Sequence, residues 1–503
     1  MNRSKALSFL LVLLLAALFA SSCSHLPTTG GTGNGGNATV SFTLVADTPP
    51  ANPSILSFKV TIVSIALTPT TGTALTLSPS SAIADLMRLQ SDTAFLGVLA
   101  NVPAGNYTVQ ISLSNPVITF LNNSPSTITA NGVACLSGAA CTASLTAAGV
   151  PTITSFTFTA TSSGLQGIEL DFNLNNAVSI SGGTLSVNFN PTTPSPAVFT
   201  AFTLPRTNAN LSATQIELIE DFTGVVSITG TTVTITSPVR GTLTATSSSS
   251  SFFDPSPNGL ICPTPSTITC VVNGQIASVD AFLNSDGTLS LKEFEPLNAT
   301  QQDFVEGTVY AVNNPTQFAI AVTDEVLAAT GSLITGLNTG DLLTVNLGSQ
   351  PFLVDTKGLV VPPASLALFQ NLTDTSAIHL GQTVAVHPTT FAAANGTTIA
   401  AANVDTVTLR WSRFRANVVS ASATTFNIDT LPSYFGISGA PQEVVQAFFT
   451  GGLGADGVTN LEGVANSTSG LTVAQPVGLR VLYLQNSGFT ANPAFFAAKV
   501  RQP

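Results

Sequence analysis

Along most of this chain, apolar and polar residues alternate one by one. Val40-Ser41-Phe42-Thr43-Leu44, Phe58-Lys59-Val60-Thr61-Ile62 and Ile168-Glu169-Leu170-Asp171-Phe172-Asn173-Leu174 each place apolar side chains on one face and polar ones on the other, as a half-buried strand requires. Clusters of Gly, Pro, Asn and Ser separate these runs at turn-like intervals, the pattern of sandwiches and small barrels. The reading is an all-β protein, an N-terminal β-sandwich followed by three tandem small β-barrels with short helical insertions. Apolar residues at helical spacing occur in Pro363-Ala364-Ser365-Leu366-Ala367-Leu368-Phe369 and in Gln442-Glu443-Val444-Val445-Gln446-Ala447-Phe448-Phe449. These two segments predict short helices packed on barrel ends.

The N-terminus departs from this pattern. Met1-Asn2-Arg3-Ser4-Lys5, an apolar run from Ala6 to Ala20, and Ser21-Ser22-Cys23 have the three-part layout of a bacterial export signal. The run is short for a membrane span, and no comparably long apolar run follows. Ala20-Ser21-Ser22-Cys23 resembles a lipobox, which implies cleavage before Cys23 and lipidation of that cysteine, a stable membrane anchor. Ser24, a residue other than aspartate, points by the same resemblance to the outer membrane. The Gly- and Thr-rich stretch that follows reads as a flexible tether. The predicted organisation is a signal peptide at 1–22, a tether at 23–38, a sandwich at 39–195, and barrel repeats at 210–298, 302–409 and 410–503.

Asp47-Thr48-Pro49-Pro50, Asp85-Leu86-Met87-Arg88-Leu89-Gln90 and Val102-Pro103-Ala104-Gly105-Asn106-Tyr107-Thr108 lie within the first of these modules. Residues 39–191 resemble an uncharacterised domain family of bacterial lipoproteins, and Pro-Ala-Gly-x-Tyr also resembles a turn of transthyretin-like and carboxypeptidase-regulatory-like sandwiches. The resemblance implies a sandwich and no particular chemistry. Physically, the proline and glycine set a turn and the tyrosine ring anchors the next strand on the core.

The remainder repeats. Three openings read Asp221-Phe222-Thr223-Gly224-Val225-Val226-Ser227, Asp303-Phe304-Val305-Glu306-Gly307-Thr308-Val309 and Arg413-Phe414-Arg415-Ala416-Asn417-Val418-Val419. Three closings read Gly274-Gln275-Ile276, Gly381-Gln382-Thr383 and Gly478-Leu479-Arg480. The step from closing to next opening is nearly constant while the interiors vary, which suits repeated units with insertions. This part resembles a second uncharacterised family of small all-β units in exported bacterial proteins.

Composition sharpens the picture. Only 8% of residues are charged and 44% are hydrophobic, with 14 basic residues against 25 acidic ones and a net charge of −11. Disorder and nucleic-acid binding are both disfavoured. The strands' outward positions are mostly Ser and Thr, so the reading places hydroxyls instead of charges on the wet faces. One Trp and four Tyr beside thirty Phe do not supply the aromatic girdles of a membrane-spanning barrel. Cys135 with Cys141 and Cys262 with Cys270 read as two local disulfides, in line with export. Neither spacing is that of a zinc site, and no cofactor is called for.

Candidate chemistry is sparse. His25 lies in the tether, and His379 and His387 are the remaining possible bases, without a Gly-x-Ser-x-Gly elbow. Counting from each closing glycine makes Asp280 and Leu484 the equivalents of His387, so the repeat itself does not require imidazole. Asn284-Ser285-Asp286-Gly287-Thr288-Leu289 with Glu293 partly matches a calcium loop, but Phe282 stands where a ligand oxygen is needed. A hairpin turn, like that at Asn395-Gly396, is the simpler reading. Glu169 and Asp171 share a strand face and read as solvated carboxylates sooner than as a glycosidase pair. Arg410-Trp411-Ser412-Arg413-Phe414-Arg415 is the most unusual segment. Trp411, Arg413 and Arg415 would share one face of a strand, open to a sugar ring or an acidic polymer. Its alternative is a strand between repeats whose arginines pair with nearby carboxylates.

These features predict a lipid-anchored envelope protein acting as a structural or binding module without catalysis. Its expected partners are the membrane, through the anchor, and envelope polysaccharide or surface proteins, with no nucleic acid. The alternatives are a polysaccharide-binding or polysaccharide-processing accessory protein and, third, a hydrolase.

Overall fold

In the computed structural model, the described residues are 37–502 apart from 80–82, 147–151, 190–196, 207, 209, 238, 255–266, 298–301, 329, 397, 438–441, 451–456, 465–466 and 485–492. The signal segment, Cys23, Ser24, His25 and most of the tether therefore lie outside them, as does Cys262. Residues 36–503 form one compact unit.

The protein is all-β. In the N-terminal region Ala38–Ala46 lies between Leu165–Phe172, to which it is parallel, and Ala94–Val102, to which it is antiparallel. A second sheet is built on the long pair Ser54–Pro69 and Gly105–Leu121. Apolar residues of the two sheets share one core, in which Phe58 of the second meets Phe172 of the first edge-on, with ring centroids 6.1 Å apart. The Cys135–Cys141 disulfide, with Cα atoms 5.9 Å apart, ties a small third sheet, which holds Cys135, to the second, whose strand Ala140–Ser144 holds Cys141. Tyr107 is buried and donates through its hydroxyl to the Pro103 carbonyl at 2.7 Å, so the Pro-Ala-Gly-x-Tyr turn is tied as its residues suggest.

Three six-stranded sheets follow, all with one order. In the first repeat the long strands are Gln215–Thr229, Thr232–Ser237, Gly241–Thr246, Ile276–Asn284 and Leu289–Pro296. The first strand pairs with the second and the fourth, the fifth pairs with the fourth, and the third pairs in parallel with the fifth, so the hydrogen-bonded path returns on itself. The middle repeat, Phe304–Asn314 to Ala400–Arg410, and the last, Ser412–Ala421 to Phe495–Arg501, repeat these pairings.

The ladders correct the alignment of the last repeat. Gly274 and Gly381, at positive φ, donate their N–H to Val226 and Val309 of the opening strand. Ala474, with φ 61°, makes the same bond to Val418, so the third closing is Ala474-Gln475 and not Gly478. The equivalents of His387 are then Asp280 and Arg480, not Leu484: each is followed by a bulge in its ladder, and they pair with Thr406, Glu293 and Lys499.

Pro363–Leu366 is helical as expected. Gln442–Phe449 is not: Glu443–Ala447 is the third strand of the last repeat, antiparallel to Thr425–Asp429 and parallel to Phe495–Arg501. Its alternation of buried and half-buried residues matches a strand, and ladder partners on both sides override the local helical spacing.

Candidate functional site

Most of the charged residues are not on the wet faces. No Lys or Arg among the described residues is exposed: Lys59, Arg206 and Arg240 are half-buried, and the others are buried. Hydroxyls do cover outward positions, as in the cross-strand pair Thr234–Thr244, 3.1 Å apart. The ions instead gather where the N-terminal region and the three repeats meet.

Asp221 lies at the centre of this hub. A register shift between Ile219 and Phe222 places it at a positive φ of 47°, a conformation that Asp tolerates better than most residues. Its carboxylate pairs with Lys357 Nζ at 2.8 Å from the middle repeat, and with Arg480 Nη2 at 2.8 Å and Arg413 Nη2 from the last. Burial pushes its pKa up, but Arg480, Lys357 and Arg413 outweigh this and hold it well below the usual carboxylate range. Glu306 is a second centre. It takes Arg88 of the N-terminal region at 2.7 Å, Arg410 at 3.2 Å and Arg413 at 3.3 Å, and these cations bring its pKa to about 2 against the opposing effect of burial. Glu293 and Glu295 are less well compensated: burial pushes each up to about 8 although Lys357 and Arg410 oppose it.

The proposed Trp411–Arg413–Arg415 surface is therefore corrected. Trp411 is fully buried in the core of the middle repeat, and its indole N–H donates to Asp355 at 3.0 Å. Arg413 reaches Asp92, Asp221 and Glu306, while Arg415 pairs with Asp47 at 2.5 Å. The alternative of a strand with paired arginines describes the segment, but the pairs are buried. Glu169 and Asp171 are likewise not solvated. Both are buried, Glu169 against Arg206 at 2.7 Å, and burial followed by the nearby Glu462 raises the Glu169 pKa to about 6.

The calcium reading does not assemble. Asp286 is exposed at the hairpin tip and accepts from Thr288, whereas Glu293 is buried beside Lys357, 3.5 Å away. Phe282 is an ordinary ladder residue opposite Ser290. Asn395-Gly396 occupies the equivalent connection in the middle repeat. Among the described residues, no group of three or more His, Cys, Asp and Glu side chains could hold a metal ion. His387 Nδ1 lies 2.6 Å from Asp405, and His379 is partly buried with its pKa lowered by desolvation. Cys270 is disulfide-bonded.

Three signals in the sequence had a meaning that strand reading alone misses. The segment Asp85–Asp92 is a plug joining the modules. Asp85 accepts from Ser57 Oγ and the Phe58 and Met87 amides at 2.8–3.0 Å, fixing the turn. Arg88 and Asp92 then reach Glu306 and Arg413, and Arg501 donates to the Leu89 and Gln90 carbonyls at 2.7 and 2.9 Å. Gly478 is required by this contact, since a Cβ there would lie 2.1 Å from the Gln90 carbonyl oxygen. The second signal is an acid at the end of the short extra strand of each repeat: Asp254 and Asp355 directly after it and Glu462 as its last residue, all buried. The third is charge reversal. Asp221, Asp280, Glu293 and Glu295 of the first repeat occupy the positions of Arg413, Arg480, Lys499 and Arg501 in the last.

No family model matches the chain, and no curated protein matches it. No helix among the described residues is long and apolar enough to cross a membrane.

Proposed function

We propose that this protein is a lipid-anchored envelope protein that serves as a rigid structural or binding module without catalysis. The observation that carries the reading is the ionic hub. Buried carboxylates, arginines and lysines pair across module boundaries, where they join four pieces of chain into one body. Leaving any one of them unpaired would cost several kcal/mol, which suits a body that must hold a fixed shape.

On this reading the N-terminal region is a β-sandwich and each repeat is a small closed barrel, the path of five strands giving a Greek-key plan of the type used by many binding modules. The resemblances of both parts to domains of exported bacterial proteins agree with it, as does the Cys135–Cys141 disulfide. The export layout and Cys23 supply the address, with the outer membrane favoured by Ser24.

The test is fractionation of a bacterial host expressing the full chain. Wild type should sediment with membranes and carry a radiolabelled acyl chain, and Cys23→Ala should abolish the label and release the protein. Unlabelled wild type, or full membrane retention of Cys23→Ala, would overturn the anchor. Hydrolysis of envelope glycans by purified wild type, lost on His387→Ala or Glu169→Gln, would overturn the non-catalytic reading.

A further inference from the structure

The chain has 14 Lys and Arg residues, and all but Arg3 and Lys5 lie among the described residues. None of those described is exposed. Most lie within strands, where ladder pairing holds the backbone. Arg88, Arg206, Arg240 and Lys357 lie outside strands, and a buried carboxylate holds each of them: Glu306, Glu169 and Asp324 at 2.7 Å, and Asp221 at 2.8 Å, respectively. Arg206 also lies over the Phe202 ring at 4.5 Å, and Arg240 donates to the Asp221 carbonyl at 2.5 Å. Exposed positions outside strands do exist. Val272 of the first repeat and Val473 of the last are 60% and 54% exposed. Exposed connections of this kind are where native proteins are nicked. Here they carry no basic side chain.

We propose that the folded body is concealed from proteases that cleave after Lys or Arg, and that the concealment comes from where the cations are placed. A protease of the trypsin class takes a Lys or Arg side chain into a pocket with a carboxylate at its base. It reaches a residue inside a ladder, or one held in a buried ion pair, only after local opening. Each of the four cations outside strands already has its carboxylate within the protein. The ion pairs that join the modules therefore also withhold the groups that such a protease must grip. The same Lys and Arg residues set on the Ser- and Thr-rich outer faces would each be a cleavage site. The inference goes beyond the reading of the chain as a structural or binding module, and it holds with or without the lipid anchor.

Trypsin digestion of the native, detergent-solubilised full chain, followed by mass spectrometry, tests this. Wild type should stay uncut between Lys59 and Arg501. Val272→Arg and Val473→Arg put the missing side chain on exposed positions outside strands. Each variant should be cut first after its new arginine, at least about tenfold faster than any site within that span of wild type. A first cut confined to the new arginine separates exposure from unfolding, since an unfolded chain is cut at every Lys and Arg. Cleavage of native wild type within the span as fast as in the variants would overturn the proposal, because the cations would then be accessible. Survival of both variants would overturn it too, by placing the protection in the connections themselves. Neither outcome bears on the anchor, which Cys23→Ala tests separately.

Discussion

Arg413 and Asp221 occupy equivalent positions in the last and first repeats, each directly before the phenylalanine of its repeat's opening motif, and the two are paired with each other. The same reversal holds for Arg480 and Asp280, 3.7 Å apart. Two copies of one small unit thus present opposite charges at matching places, and the middle repeat, with Phe304, His387, Thr406 and Thr408 there, does not. Unlike charges at matching positions favour pairing of first with last, while a second acidic or basic copy would be repelled.

Removing one side of this pairing leaves a buried charge uncompensated. Arg413→Met is expected to cost about 3–5 kcal/mol in urea unfolding. Adding Asp221→Asn should cost less than the sum of the two single changes, because the two share one interaction. Strict additivity in this cycle would show that the pair does not couple.

Stability should depend on pH in two windows. Asp221 and Glu306 have lowered pKa values in the folded state, so they contribute stability above the unfolded carboxylate range, and this is lost as pH falls toward 2. Glu293 and Glu295 are raised to about 8, so the folded state holds their protons more tightly and stability falls as pH rises from about 4.5 to about 8. Denaturation midpoints should therefore peak at mildly acidic pH. Glu293→Gln should flatten the alkaline side while leaving the acid side as in wild type.

Gly478→Ala tests the plug. Ser278 and Ala385 stand at this position in the other repeats, so the strand itself accepts a Cβ. The Gln90 carbonyl does not, and backbone cannot swing aside as a side chain can. A loss of about 1–3 kcal/mol is expected, with faster amide exchange in Leu86–Asp92. Unchanged exchange there would place the cost elsewhere.

The Cys135–Cys141 bond closes a short loop, and replacing both residues with alanine should cost about 2 kcal/mol by chain entropy. The first module should respond, since its core contains Cys135.

Much of the architecture was legible locally. Alternation at Val40–Leu44, Phe58–Ile62 and Ile168–Phe172 marks strands that the structure contains, and Asp286-Gly287 and Asn395-Gly396 mark the connections between paired strands. Glu443–Ala447 was not legible, because its spacing suits a helix and only its two ladder partners make it a strand. Gly478 read as the closing glycine of the last repeat, and its reason lies in the Gln90 carbonyl, distant in the chain.

The sequence alone determined that this is a β-protein with a threefold repeat, a disulfide between Cys135 and Cys141, and hydroxyls on many outward positions. These are short-range properties, set by side-chain alternation, turn residues and spacing. Tertiary structure decided where the charge goes. Alternation identifies Glu169, Asp171 or Arg413 as polar and assigns them to the face away from their own core, but another module covers that face. Whether a polar face meets water or a partner of opposite charge depends on contacts such as Arg413–Asp221, between residues far apart along the chain. The scarcity of charge thus reflects a small set of ions placed mostly inside, where they are stabilised by others that the local sequence does not reveal.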